Sequence, residues 1–115
     1  MTKEKLREKL DSLNVQSSIG DLQQYINHMR EVRGFADETL KDLMILLTEE
    51  TGELAREVRK LSHIKTDVSN QSIGNIESEL ADIFIYIMSI CVHLDIDLFE
   101  AFKAKEVKNS DRVWA

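Results

Sequence analysis

No proline interrupts this chain anywhere in its 115 residues, and glycine occurs only four times. These are the chief breakers of regular helix. Proline lacks an amide hydrogen and clashes with the preceding turn, and glycine loses the most backbone freedom on ordering. A chain so short of both is free to run in long helices, which predicts an all-α fold. At 43% hydrophobic and 31% charged residues it has material for one core, so wholesale disorder is excluded.

Apolar spacing divides the chain into helices. Leu6, Leu10 and Leu13 recur among lysine, arginine and glutamate, giving a short amphipathic helix over residues 2 to 13. Ser18 caps a second helix from Ile19 to Val32, whose apolar face is Leu22, Tyr25, Ile26 and Met29 with Gln23, Asn27 and Arg30 turned away. Gly34 stops it. A third helix runs from about Glu38 to Leu61, with Asp37 or Thr39 as its cap. Residues 62 to 74 are polar and aperiodic and read as a loop. A fourth helix, about Asn75 to Leu94, is apolar over most of its surface, as suits a bundle centre or a subunit interface. Asp97 with Glu100 starts the last helix, Leu98 to about Asn109. Residues 1–17 thus read as an amphipathic extension and 18–115 as the domain.

Two acidic pairs stand out against this framework. Positions three apart on a helix share a face about one turn, ~5 Å, from each other, which pairs Glu50 with Glu53 and Glu79 with Asp82. Both pairs sit among apolar residues (Leu46, Leu47 and Leu54; Leu80, Ile83 and Phe84) and therefore beside a packing face. Carboxylates in that position must be paired, protonated or bound to metal, and clustered carboxylate oxygens suit Mg²⁺, with Mn²⁺ as the alternative. Di-iron bundles instead use Glu-x-x-His pairs, and residues 25, 60 and 90, three before each histidine, are Tyr, Lys and Ile. Gly52, mid-helix between the acids, costs about 1 kcal/mol relative to alanine, which predicts close approach of a neighbouring helix or ligand.

Charge and cysteine usage narrow the class further. A net charge of −6 argues against holding nucleic acid by general electrostatics. The single cysteine, Cys91, lies in an apolar run and reads as a buried free thiol in a reducing compartment. The N-terminus lacks the apolar stretch of a signal peptide, and the longest apolar run, Ile83 to Leu94, is short of the ~20 residues that span a bilayer. No membrane partner and a cytoplasmic location are expected.

With Glu49, Glu50 and Glu53 as EExxE and Glu79 and Asp82 as ExxD, the chain resembles the MazG-like all-α nucleotide pyrophosphohydrolases, relatives of dimeric dUTPases and dCTP pyrophosphatases. The stretches QQYINHMREVRGF and ELADIFIYIMSI also look like family helices, and Lys105, Asn109 and Arg112 match a C-terminal KxxxNxxR pattern. The likeness covers roughly residues 18 to 114. It implies a four-helix-type bundle, here with an extra N-terminal helix, that self-associates as a dimer or tetramer. It also implies Mg²⁺-dependent hydrolysis of a nucleoside triphosphate to the monophosphate and pyrophosphate, in pool cleansing or in signal degradation. By the same resemblance Glu50, Glu53, Glu79 and Asp82 are metal ligands, and Glu49 is assigned to their surroundings or to water activation. Phe35 and Tyr86 match positions that line the base, Phe35 standing where the dCTP-hydrolysing branch has tryptophan. Lys105 and Arg112, with Asn109, would meet the leaving pyrophosphate, and His28 would reach the base from the second helix.

Two other readings stay open at this point. One is a non-catalytic helical module that binds nucleotide or assembles. The other is a metal-dependent phosphohydrolase acting on another diphosphate, such as a dinucleotide or a nucleotide sugar, without releasing pyrophosphate.

Overall fold

A computed structural model describes residues 1–62 and 73–114, with the side chains of residues 73 and 74 left aside. Its described residues form five helices and no strand: α1 (Lys3–Ser12), α2 (Ile19–Val32), α3 (Leu40–Leu61), α4 (Ile73–His93) and α5 (Leu98–Ser110). The all-α expectation holds. The chain divides into two compact units, Met1–Asp37 with Met88–Ala115, and Glu38–Ile87.

In the first unit α1 packs on α2, and α2 on α5. Leu6, Ile26, Met29, Met88 and Cys91 are buried there. Each such side chain removed from water contributes roughly 1.5–3 kcal/mol. Because α2 is covered on two sides, two residues expected to face away from the core do not. Arg30 is 4% exposed, and Gln23 clamps the α4–α5 link, donating from Nε2 to the Ile96 carbonyl at 2.7 Å and accepting from the Leu98 amide at 2.9 Å. Asn27 remains exposed.

Helix ends follow local chemistry. Ser18 and Asp21 form a reciprocal capping box at α2, and Thr39 and Asp42 form another at α3. Thr39 rather than Asp37 is therefore the α3 cap. The Asp42 carboxyl is held below its usual range by the Thr39 amide and hydroxyl. α2 ends in a Schellman motif: Gly34 takes φ +76°, and the Phe35 amide donates to the Arg30 carbonyl at 2.7 Å. α4 ends in the same motif with Asp95 (φ +55°) in the glycine position and the Ile96 amide donating to the Cys91 carbonyl at 2.8 Å.

In the second unit Leu43 is fully buried. α4 begins at Ile73, so Gly74, read from sequence as loop, lies in its first turn, where amides are free of intrahelical partners and glycine is tolerated. The rest of the expected loop, residues 63–72, lies outside the described residues. Gly52 differs from expectation: a Cβ there would meet nothing within 4 Å. Among the described residues no neighbouring helix approaches it, and the position is exposed on α3.

Candidate metal centre

Glu50 and Glu53 lie one turn apart on α3, and α4 brings Glu79 to them. One carboxylate oxygen from each gathers within 4.8 Å of the others. Glu50 and Glu79 are half-buried and Glu53 is exposed. Oε2 of Glu50 and Oε2 of Glu79 are buried without a hydrogen-bond partner among the described residues. Buried carboxylate oxygens left unpaired are costly, and three acids at this spacing repel.

Protonation responds accordingly. The Glu79 carboxyl is raised above its usual range because Glu50 lies within hydrogen-bonding reach, with burial and the charges of Glu50 and Asp82 adding to the effect. Glu53 is raised chiefly by the charge of Glu79, then by a shared hydrogen bond with it and by burial, while Arg56 opposes. Glu53 and Glu79 thus hold their protons to a higher pH than isolated carboxyls do.

Asp82 falls outside the three-oxygen group among the described residues, yet its charge contributes to raising both Glu53 and Glu79. Tyr86, one turn beyond Asp82 on α4, is half-buried. Its hydroxyl is pushed up by burial first and then by Glu50, Glu38, Asp82 and Glu49, so it stands at the edge of the same acidic field. Glu49 is exposed and borders a shallow apolar recess with Met44, Ile45 and Thr48.

The remaining sequence-predicted residues belong to the first unit. Phe35 follows the α2 stop with its ring half-exposed, and its carbonyl accepts from the Arg30 guanidinium at 3.1 Å. His28 lines a recess between α1 and α2 together with Lys9 and Tyr25. Lys105 is exposed on α5. Asn109 and Arg112 meet at 3.5 Å, Trp114 donates from its indole to the Asn109 carbonyl at 3.2 Å, and the Arg112 guanidinium lies 5.4 Å from the Trp114 ring centroid.

Sequence reasoning missed Glu57 and Asn75 beside the acids. Glu57 accepts from Asn75 Nδ2 at 3.3 Å and pairs with Lys60 at 3.4 Å, the Lys60 and Glu57 side chains being 18% and 11% exposed. Glu57 is one turn past Glu53 on α3 and Asn75 one turn before Glu79 on α4, but their pairing depends on the register between the helices.

The donor set tests which ion fits. Among the described residues all the donors are hard carboxylate oxygens from two helices, two of them buried and unpaired, which suits Mg²⁺ or Mn²⁺. Fold and site together define a class: an all-helical protein with acidic oxygen donors collected between two long helices. Residues 38–113 match the family model of the MazG nucleotide pyrophosphohydrolase domain, and the chain belongs to that family, whose members are generally metal-dependent hydrolases. The match begins beyond α2, later than the start near residue 18 expected from the motifs. No curated protein and no solved structure gives a significant match. No described helix is long and apolar enough to cross a membrane.

Proposed function

We propose that this protein is a Mg²⁺-dependent nucleoside triphosphate pyrophosphohydrolase, converting a (deoxy)nucleoside triphosphate and water to the monophosphate and pyrophosphate. The observation that carries this reading is the convergence of Glu50, Glu53 and Glu79 with two unpaired buried oxygens, in a chain of the MazG family. Glu50, Glu53 and Glu79, with Asp82, would hold the cation, and Mn²⁺ would substitute for Mg²⁺. When bound, the ion supplies charge neutralisation to the polyphosphate and activates water.

The chain's own residues do the rest. Glu49, exposed beside Glu50, takes a proton from the attacking water. Oxygen from water bonds to phosphorus as the α–β anhydride bond breaks, and pyrophosphate leaves with the electron pair. By the family resemblance Lys105 and Arg112 supply positive charge to the leaving pyrophosphate, and Asn109 lies beside Arg112. Tyr86, beside the acids on α4, lines the base, the role that the family resemblance also gives to Phe35.

Self-association belongs to the same proposal. Leu80, Phe84 and Ile87 form an i, i+4, i+7 stripe on α4 that stays 36–51% exposed, and Met44 and Ile45 on α3 are about half exposed. A second copy of the chain would cover such a surface. The test is Mg²⁺-dependent pyrophosphate release from a panel of canonical and modified triphosphates. Release from at least one, abolished by chelator, is expected. Absence of cleavage at high protein concentration would favour a non-catalytic module, and cleavage of other diphosphates without pyrophosphate would favour a different phosphohydrolase.

A further inference from the structure

We infer that Glu57 and Asn75 are positioning residues for the acidic cluster, a neutral-to-anionic strut that keeps α3 and α4 at ligand spacing before the cation arrives. This rests on the metal-site reading above. Glu50 and Glu53 on one helix and Glu79 on the other push each other apart when ionised. One turn along, the pairing changes character. Glu57 stands four residues past Glu53, and Asn75 four before Glu79, a step of ~6 Å along each antiparallel helix. There the contact is an amide donating to a carboxylate at 3.3 Å. Lys60 lies 3.4 Å from the other Glu57 oxygen and balances its charge, so Glu57 adds little to the repulsion.

Burial makes the link count. Glu57 and Lys60 are mostly withdrawn from solvent, where a broken bond is not replaced freely by water. The register also explains why asparagine occupies position 75. An acid there would face Glu57 and extend the repulsive row, and an apolar residue would leave a half-buried Glu57 oxygen without its donor.

The test is Mn²⁺ titration of the full chain by calorimetry, together with kcat/KM and far-ultraviolet helicity, for Asn75→Ala, Glu57→Ala and the double variant. Asn75→Ala should bind Mn²⁺ about ten-fold more weakly at unchanged helicity, within the range for residues that orient metal ligands. In the Glu57→Ala background the same change should have no further effect, since its acceptor is gone and any consequence of unpairing Lys60 cancels in the comparison. Wild-type affinity in Asn75→Ala, or an equal fall in both backgrounds, would overturn the strut. Should Asn75→Ala lose helicity, Asn75→Ser takes its place in the same cycle. Wild-type protein that binds no Mn²⁺ would overturn the metal site itself, a failure distinct from either of these.

Discussion

Glu79 is the residue on which opposing demands meet: half-buried, with one oxygen unpaired, within reach of both Glu50 and Glu53. Glu79→Gln keeps its shape and removes a charge, so metal-free protein should melt at a higher temperature while activity falls roughly 100-fold or more. Calorimetric melts with chelator and pyrophosphate release with Mg²⁺ check the two halves. Its pH dependence has a definite sign. Glu53 and Glu79 hold protons more tightly folded than unfolded, so their contribution to stability is complete below the ordinary carboxylate range and is lost as pH rises through their raised values. A cation replaces those protons. The Mg²⁺-induced rise in melting temperature should therefore be smaller at pH 5 than at pH 8, and a rise independent of pH would contradict the raised carboxyls of Glu53 and Glu79. The i, i+3 spacing fixed the faces of Glu50 with Glu53 and of Glu79 with Asp82, and the two motifs together with the family pattern, not either spacing alone, pointed to a shared site. Spacing did not reveal Asn75, since one hydrogen bond across two helices depends on a register that neither helix encodes by itself.

At the scale of elements, breakers and caps govern the helices. Ser18, Thr39 and Asp97 each accept from the amide three residues on, and Gly34 supplies the left-handed stop, all chemistry that a sequence displays openly. The end of α4 was harder to place because Asp95 does glycine's work there, a position costing an L-residue about 1 kcal/mol. The faces of α2 were harder still. One apolar stripe is visible in the sequence, but a helix covered on two sides also buries the Arg30 stem and recruits Gln23. Gly52 offers a clean measurement. With nothing within 4 Å of a Cβ, Gly52→Ala should stabilise the chain by about 1 kcal/mol in urea unfolding. A loss of stability would mean that a second copy or another group occupies that side of α3.

Among the described residues, the small number of fully buried apolar side chains contrasts with the exposed stripe Leu80, Phe84 and Ile87 and with Phe99 and Phe102 on α5. Such surface on one chain predicts assembly, measurable by light scattering: a dimer or larger for the native chain, and a shift toward monomer for Phe84→Asp. Native protein that stays monomeric at high concentration would remove the homo-oligomer from the proposal. The family match starts at residue 38, while α2 packs on α5 inside the matched span. The helical architecture could be read from the lack of breakers, whereas the burial of α4 could not, because an all-round apolar helix fits a bundle centre and an interface equally well.

The most direct measurement is a crystal structure with Mn²⁺, read by anomalous scattering. A peak within coordination distance of Glu50, Glu53 and Glu79 is the expected result. Anomalous density confined to other residues, with these three carboxylates turned apart, would contradict the assignment.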